Sequence, residues 1–184
     1  MIDKGHILGI VGSPRQGGNT DVLVQEILAG AADAGAQTQI LHLGGLHIEA
    51  CRACNACHDT GRCLISDDMA SVVEVMARSD AWVLGTPVYW WGPTAQFKAF
   101  LDRWYMFDQE RAIFRNRKVA FAIPSGGGSS YANHTAGILE EVAAYLGMDH
   151  RGTLLAGGAG GKGAVQGRAD LMLQARELGQ AIVR

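Results

Sequence analysis

Short apolar runs and longer amphipathic stretches alternate along this chain. The apolar runs predict buried strands at residues 6–11, 37–43, 80–86, 117–123 and 152–156. Between and after them, apolar residues recur three and four positions apart, which predicts five helices, centred on residues 24–31, 69–76, 97–104, 138–146 and 171–182. Gly35 and Gly147 are predicted to end the first and fourth of these helices.

This alternation predicts an α/β fold, because strands that are each followed by a helix form a parallel sheet covered on both faces. We expect a three-layer α/β/α arrangement with a five-stranded parallel sheet in the order 2-1-3-4-5. No repeat or linker is evident, so residues 1–184 are predicted to form a single domain, with a cysteine-rich loop at about 44–66.

Charge and hydropathy narrow the class of protein. The 184 residues carry 16 Lys and Arg against 18 Asp and Glu, a net charge of −2, which argues against a dedicated nucleic-acid-binding protein. No apolar run is long enough to span a bilayer, so no membrane segment is expected. The N-terminus reaches the first strand without the apolar region of a signal peptide, and a cytoplasmic location is therefore expected.

The loop after the first strand reads GSPRQGGNT over residues 12–20. A small, glycine-bearing loop that leads into a helix presents free backbone N–H groups and the positive end of the helix dipole, and both favour a phosphate. Neither the dinucleotide fingerprint nor the P-loop pattern is present. The alternative is an ordinary turn in which Asn19 or Thr20 caps the helix.

Two further loops end strands that are expected to lie beside the first. Residues 86–93 read TPVYWWGP, and their adjacent aromatics offer flat apolar surfaces on which a planar ring can stack. Residues 124–130 read PSGGGSS, where glycines allow backbone N–H groups to approach a ligand closely. The alternatives are aromatics packed in the core or in a subunit contact, and a flexible glycine turn.

The GSPRxxGNT spacing, the TPVYWW loop, the AQFKAFLDR helix and the GGG loop together resemble the NAD(P)H-dependent FMN reductase and iron–sulfur flavoprotein families, which have flavodoxin-like folds. The resemblance implies noncovalent FMN, NAD(P)H as co-substrate, and a homo-oligomer, either a dimer or a tetramer. It implies no catalytic side chain, because the flavin carries the chemistry. The cofactor-binding residues that it implies are Ser13, Arg15, Gln16, Asn19, Thr20, Pro87, Val88, Tyr89, Trp90, Ser125, Gly126 and Gly127.

All four cysteines fall in one C-x2-C-x2-C-x5-C run, formed by Cys51, Cys54, Cys57 and Cys63. Such tight spacings let thiolates converge on a metal centre, as in ferredoxin-type motifs, while a zinc site and free thiols stay open as alternatives. The spacing matches the motif of the iron–sulfur flavoproteins, and the resemblance therefore implies a 4Fe–4S cluster.

These features predict an FMN-dependent oxidoreductase that passes electrons between a reduced donor, NAD(P)H or ferredoxin, and a small-molecule or protein acceptor. One alternative is a cluster-free NAD(P)H-dependent FMN or quinone reductase. Another is a noncatalytic, flavodoxin-like electron carrier between redox protein partners. Residues 158–163 match G-x-G-x-x-G, but we predict a mobile loop near the flavin or near a partner subunit, because no strand follows.

Overall fold

The computed structural model describes residues 5–108 and 110–184. Residues 1–4, part of the segment from which the absence of a signal peptide was predicted, and Gln109 lie outside the described residues. The strands are β1 His6–Val11, β2 Gln37–His42, β3 Ala81–Gly85, β4 Lys118–Pro124 and β5 Asp149–Ala156. The α-helices are α1 Asn19–Asp33, α2 Ala56–Thr60, α3 Met69–Ala77, α4 Ala95–Asp102, α5 Asn133–Leu146 and α6 Ala169–Val183.

The five strands form one parallel sheet in the order β2-β1-β3-β4-β5, which confirms the predicted topology. The three inner strands β1, β3 and β4 are almost wholly buried, as expected for apolar runs without alternation. One face of the sheet is covered by α3, α4 and α5, and the other by α1 and α6.

Helices α1 and α6 approach each other closely because glycines stand at their contact. A Cβ built on Gly30 would overlap the backbone of Arg176, and one on Gly179 would overlap the carbonyl oxygen of Ile27. The absence of both side chains therefore sets the spacing between these helices.

Three local predictions were wrong. Strand β5 begins at Asp149 rather than at residue 152, because its first residues are polar and partly exposed at the sheet edge and hide the strand in an apolar pattern. A sixth helix, α2, forms within the cysteine-rich loop, where no apolar periodicity signals it. In α5 the buried face contains Leu139 and Ala143, whereas Tyr145 of the predicted face is 61% exposed.

Among the described helices, none is both long enough and apolar enough to cross a membrane.

Candidate functional site

Three loops meet at the carboxyl edge of the sheet, next to the point where the strand order reverses. Backbone hydrogen bonds extend the strand ladder into them: Gly12 N–H donates to Gly85 O at 2.7 Å, and Thr86 N–H to Ala122 O at 3.1 Å. Ser125 N–H donates to Ala156 O at 2.9 Å. The loops that follow β1, β3 and β4 are therefore held side by side, where doubly wound folds bind ligands.

The buried hydroxyl of Thr94 fastens two of these loops together. It donates to Gly12 O at 2.5 Å and accepts from Phe97 N–H at 3.2 Å, which caps the start of α4. Thr94 N–H also donates to the hydroxyl of Thr86 at 3.2 Å. The capped helix α4 thus fixes the positions of the first and second loops relative to each other.

A cavity of about 220 Å³ opens where the three loops meet. Of the predicted cofactor-binding residues, eight line it: Ser13, Arg15, Asn19, Thr20, Pro87, Val88, Tyr89 and Gly126. Gln16 is exposed and is not among the lining residues. The sequence prediction omitted five others that do line it: Gly18, Pro124, Ala159, Gly160 and Lys162.

The polar end of this cavity is the start of α1. Its N-cap residue is Gly18, which has no side chain to cap the helix, and the first turn begins at Asn19. The first N–H groups of a helix have no partner within the helix. Arg15 and Lys162 add positive charge to the same cavity wall, so this end suits an anion.

The side chain of Asn19 binds a segment that is far away in sequence. Both hydrogens of its amide are used, because Nδ2 donates to Ala159 O at 2.8 Å and to Gly161 O at 2.7 Å, and Oδ1 accepts from Val165 N–H at 3.3 Å. The side chain has no amide hydrogen left for a phosphate in this conformation. It instead holds the glycine-rich segment 157–165 against the first loop and brings Lys162 to the cavity.

A buried carboxylate supports the first loop from below. Asp21, in the first turn of α1, accepts hydrogen bonds from Gly17 N–H at 2.7 Å and from Gln25 at 2.8 Å, and it pairs with His42 Nε2 at 3.0 Å. Burial acts to raise the pKa of Asp21, but these three hydrogen bonds outweigh it, so the pKa lies below the ordinary value of 3.8. The ionised side chain fixes Gly17, whose φ of +65° favours glycine.

A second cavity of about 200 Å³ adjoins the first, and Val88 and Gly126 line both. Its other lining residues are Trp90, Trp91, Ser125, Gly127 and Tyr131. Three predicted residues that do not line the first cavity, Trp90, Ser125 and Gly127, are therefore in the second. Together the two cavities fall within the roughly 300–1,000 Å³ typical of small-molecule sites.

The aromatic wall of the second cavity stands on a tight turn. Tyr89 and Gly92 exchange two backbone hydrogen bonds of 2.9 and 3.1 Å, while Trp90 and Trp91 between them have φ of +49° and +62°. Two consecutive left-handed residues make a type I′ turn, a position that normally selects Asn and Gly. Each left-handed tryptophan costs roughly 1–2 kcal/mol. Strain of this kind is concentrated at functional sites.

Contacts from α5 and the turn before it hold the strained turn in place. The buried hydroxyl of Thr135 donates to Trp91 O at 3.0 Å, and the Trp91 ring stacks on Tyr131 with centroids 6.1 Å apart. Trp90, in contrast, is 92% exposed. Both rings line the cavity, with Trp91 packed on Tyr131 and Trp90 at the solvent-exposed mouth.

The four cysteines lie in the segment between β2 and α3, and none of them forms a disulfide. Ala53 and Asn55, one in each x2 spacer, have left-handed φ of +50° and +58° and bend the chain between successive cysteines. Burial raises the pKa of the Cys57 thiol, and the neighbouring thiols of Cys63, Cys51 and Cys54 raise it further. The four thiols are therefore close enough to influence one another electrostatically.

Within residues 5–108 and 110–184, no three His, Cys, Asp or Glu side chains are close enough to share one metal ion.

The strand order, and the three loops that meet at the carboxyl edge of the sheet, define a flavodoxin-like protein. This chain belongs to the NADPH-dependent FMN reductase family, whose model matches residues 6–169.

Individual relatives of this chain are also named as flavoproteins. An iron–sulfur flavoprotein of Methanocaldococcus jannaschii is 40% identical over 97 residues, which are 53% of this chain and 50% of that protein. An iron–sulfur flavoprotein of Archaeoglobus fulgidus is 30% identical over 179 residues, 95% of this chain and 77% of that protein. The matched part of this chain thus spans half the length of the first relative.

Among solved structures, the NAD(P)H:quinone oxidoreductase from Methanothermobacter marburgensis has a TM-score of 0.68 at 19% identity, covering 96% of this chain and 98% of that one. At this identity, the likeness concerns the fold.

Proposed function

We propose that this protein is an FMN-dependent oxidoreductase of the iron–sulfur flavoprotein type. It would pass electrons from NAD(P)H or a ferredoxin to a small-molecule or protein acceptor. The observation that carries the proposal is the pair of joined cavities at the carboxyl edge of the sheet, one rich in N–H groups and positive charge and the other aromatic. Membership of the NADPH-dependent FMN reductase family supports FMN as the ligand.

The chemistry of the first cavity fits the phosphate of FMN. The uncapped start of α1 offers backbone N–H groups, and the hydroxyl of Ser13, which accepts from Arg15 N–H at 3.1 Å, keeps its own hydrogen free to donate. Arg15 and Lys162 would balance the negative charge. The negative charge of Asp21 does not face the phosphate, because its carboxylate is used by three hydrogen bonds and does not line the cavity.

The second cavity fits a planar ring. Val88 on one side and Ser125 through Gly127 on the other would frame it, and Pro87 would lie where the first cavity meets it. When bound, FMN supplies the chemistry of accepting a hydride and releasing its two electrons singly. The surrounding aromatic side chains would orient the ring and exclude water.

The donor set of the cysteine-rich loop fits a 4Fe–4S cluster. A single zinc ion needs all of its ligands in one coordination shell, whereas a cubane takes one thiolate at each of four separated iron atoms. The C-x2-C-x2-C-x5-C run offers four free thiols, one for each iron atom of a cubane. Cys51, Cys54, Cys57 and Cys63 would be the ligands, as the names of the relatives also suggest.

Purification under anaerobic conditions, followed by assays of flavin, iron and acid-labile sulfide, tests this proposal. We expect one FMN with about four iron and four sulfide per chain, and a Cys57→Ser variant that keeps flavin but loses iron. NADPH should bleach the flavin rapidly in stopped flow. Flavin without iron would establish the cluster-free reductase instead. No bleaching by NADPH, together with rapid reduction by ferredoxin, would establish the electron carrier.

The proposal includes self-association into a dimer or tetramer in the cytoplasm. Exposed aromatic rings at the mouth of the site, those of Tyr89, Trp90, Trp91 and Tyr131, provide an apolar surface for a subunit contact. Sedimentation of the flavin-loaded protein measures this directly, and a monomer at every concentration tested would remove this part of the proposal.

A further inference from the structure

The two ends of the cysteine-rich loop are joined by a buried ion pair. Arg103, in the turn after α4, donates to Asp67 through Nη1 at 2.6 Å and Nη2 at 3.2 Å, and the two side chains are 2% and 0% exposed. Nη1 also donates to Glu49 O at 3.1 Å, and Asp67 accepts from Glu49 N–H at 2.8 Å. The guanidinium therefore closes the loop two residues before Cys51 and four residues after Cys63.

Loop closure alone does not explain this pair. Replacing a buried ion pair by apolar side chains is often neutral or stabilising. The neck of the loop, formed by Glu49, Asp67 and Arg103, would therefore not need charged side chains if it only closed the loop. Within the described part of the chain, moreover, Nε of Arg103 is buried and has no hydrogen-bond acceptor. A buried charged donor is costly to leave unpaired, which points to an acceptor that binds there.

Cys63 is the ligand residue beside this guanidinium. Burial acts to lower the pKa of Arg103, but the hydrogen bonds and charge of Asp67 raise it, and Cys63 raises it further, so the net shift is upward. The fourth cysteine, Cys63, thus interacts electrostatically with the buried guanidinium of Arg103.

We propose that Arg103 is a positioning residue for the iron–sulfur centre, holding the Cys63 end of the loop and stabilising the negative charge of the ligated sulfur. This inference rests on the proposed function, since it needs the cluster. A cluster bound by four thiolates gains a further negative charge on reduction, and a buried ion pair that turns its guanidinium toward the cluster in a region of low dielectric favours the reduced form. Arg103 therefore raises the reduction potential of the cluster.

Two double variants test this proposal. Arg103→Met with Asp67→Asn removes the buried charges together and leaves an amide to accept from Glu49 N–H. The matched control, Arg52→Met with Glu49→Gln, removes an ion pair of 2.5 Å at the same loop that is 65% and 37% exposed. Both variants are loaded with iron and sulfide under anaerobic conditions, and EPR-monitored titration gives the cluster potential, with FMN content as the measure of folding.

We expect the Arg103 variant to keep FMN and to show a more negative cluster potential, the control to match the wild type, and Arg103→Lys to restore part of the difference. If the neck only closes the loop, the Arg103 variant should change the iron content and leave the potential of the remaining cluster unchanged. Such an unchanged potential would overturn the inference while the proposed function stands. A wild-type protein without iron would overturn both.

Discussion

Lys162 is the positive charge that sequence reasoning did not assign to the site, and replacing it tests how the first cavity works. Its Nζ lies 3.9 Å from the position of a Cβ on Gly17, directly against the first loop. Two unit charges about 4 Å apart interact by about 1 kcal/mol in water and about 4 kcal/mol at an effective dielectric of 20. Because Lys162 is exposed, we take the lower end of this range, about 1–2 kcal/mol, for its attraction to a phosphate.

Lys162→Met should therefore weaken FMN binding by about 5- to 30-fold. The assay is fluorescence titration of the apoprotein with FMN and, in parallel, with riboflavin, which lacks the phosphate. Riboflavin affinity should not change, and the loss for FMN should shrink at about 1 M salt, where the screening length falls to about 3 Å. Lys98→Met, which removes an exposed lysine paired with Asp102 on α4, is the matched control. An equal loss for both flavins, or none for FMN, would refute the reasoning.

Three further outcomes are expected from the fold. Gly179→Ala should lower the free energy of unfolding by about 1–3 kcal/mol through overpacking, whereas Gly137→Ala, with open space around it in α5, should raise it by about 0.5–1 kcal/mol; thermal unfolding compares the two. Because the pKa of Asp21 is lowered in the folded protein, its ionised form stabilises the fold above about pH 4, and this stabilisation is lost as the pH falls through the lower, folded value. Urea unfolding from about pH 7 to pH 2 should thus show a flatter acid limb for Asp21→Asn, and parallel curves would contradict the assignment. Trp90→Asn should stabilise the protein by about 1 kcal/mol, since asparagine tolerates its left-handed φ and the indole is almost wholly exposed; a lower melting temperature would show that the indole contributes packing.

The sequence was sufficient to predict the sheet because each central strand is a continuous apolar run and each long helix has a clear period. It failed where polarity hides an element, as at Asp149, and where a helix packs a face that its strongest apolar residues do not share, as at Tyr145. The α2 helix lies in a loop whose shape depends on left-handed residues rather than on periodicity.

At the candidate site, local motifs indicated most of the residues that line the cavities. The contributions of Lys162 and His42 depend on contacts between segments far apart in sequence, which no spacing reports. The contacts of Asn19 show the same limit, because no spacing reports the bonds that its amide forms with another loop. The buried pair of Arg103 and Asp67 is equally invisible, because neither its burial nor its partner follows from position in the chain.

The tryptophan turn has a consequence for how the protein diversifies. Backbone bonds between Tyr89 and Gly92, and the bond from Thr135 to Trp91 O, define the shape of the turn without using the Trp90 indole. Replacing the side chain at this tip should therefore leave the sheet and the first cavity unchanged. The tip of the turn is therefore a position at which the side chain can vary while the backbone around it is kept.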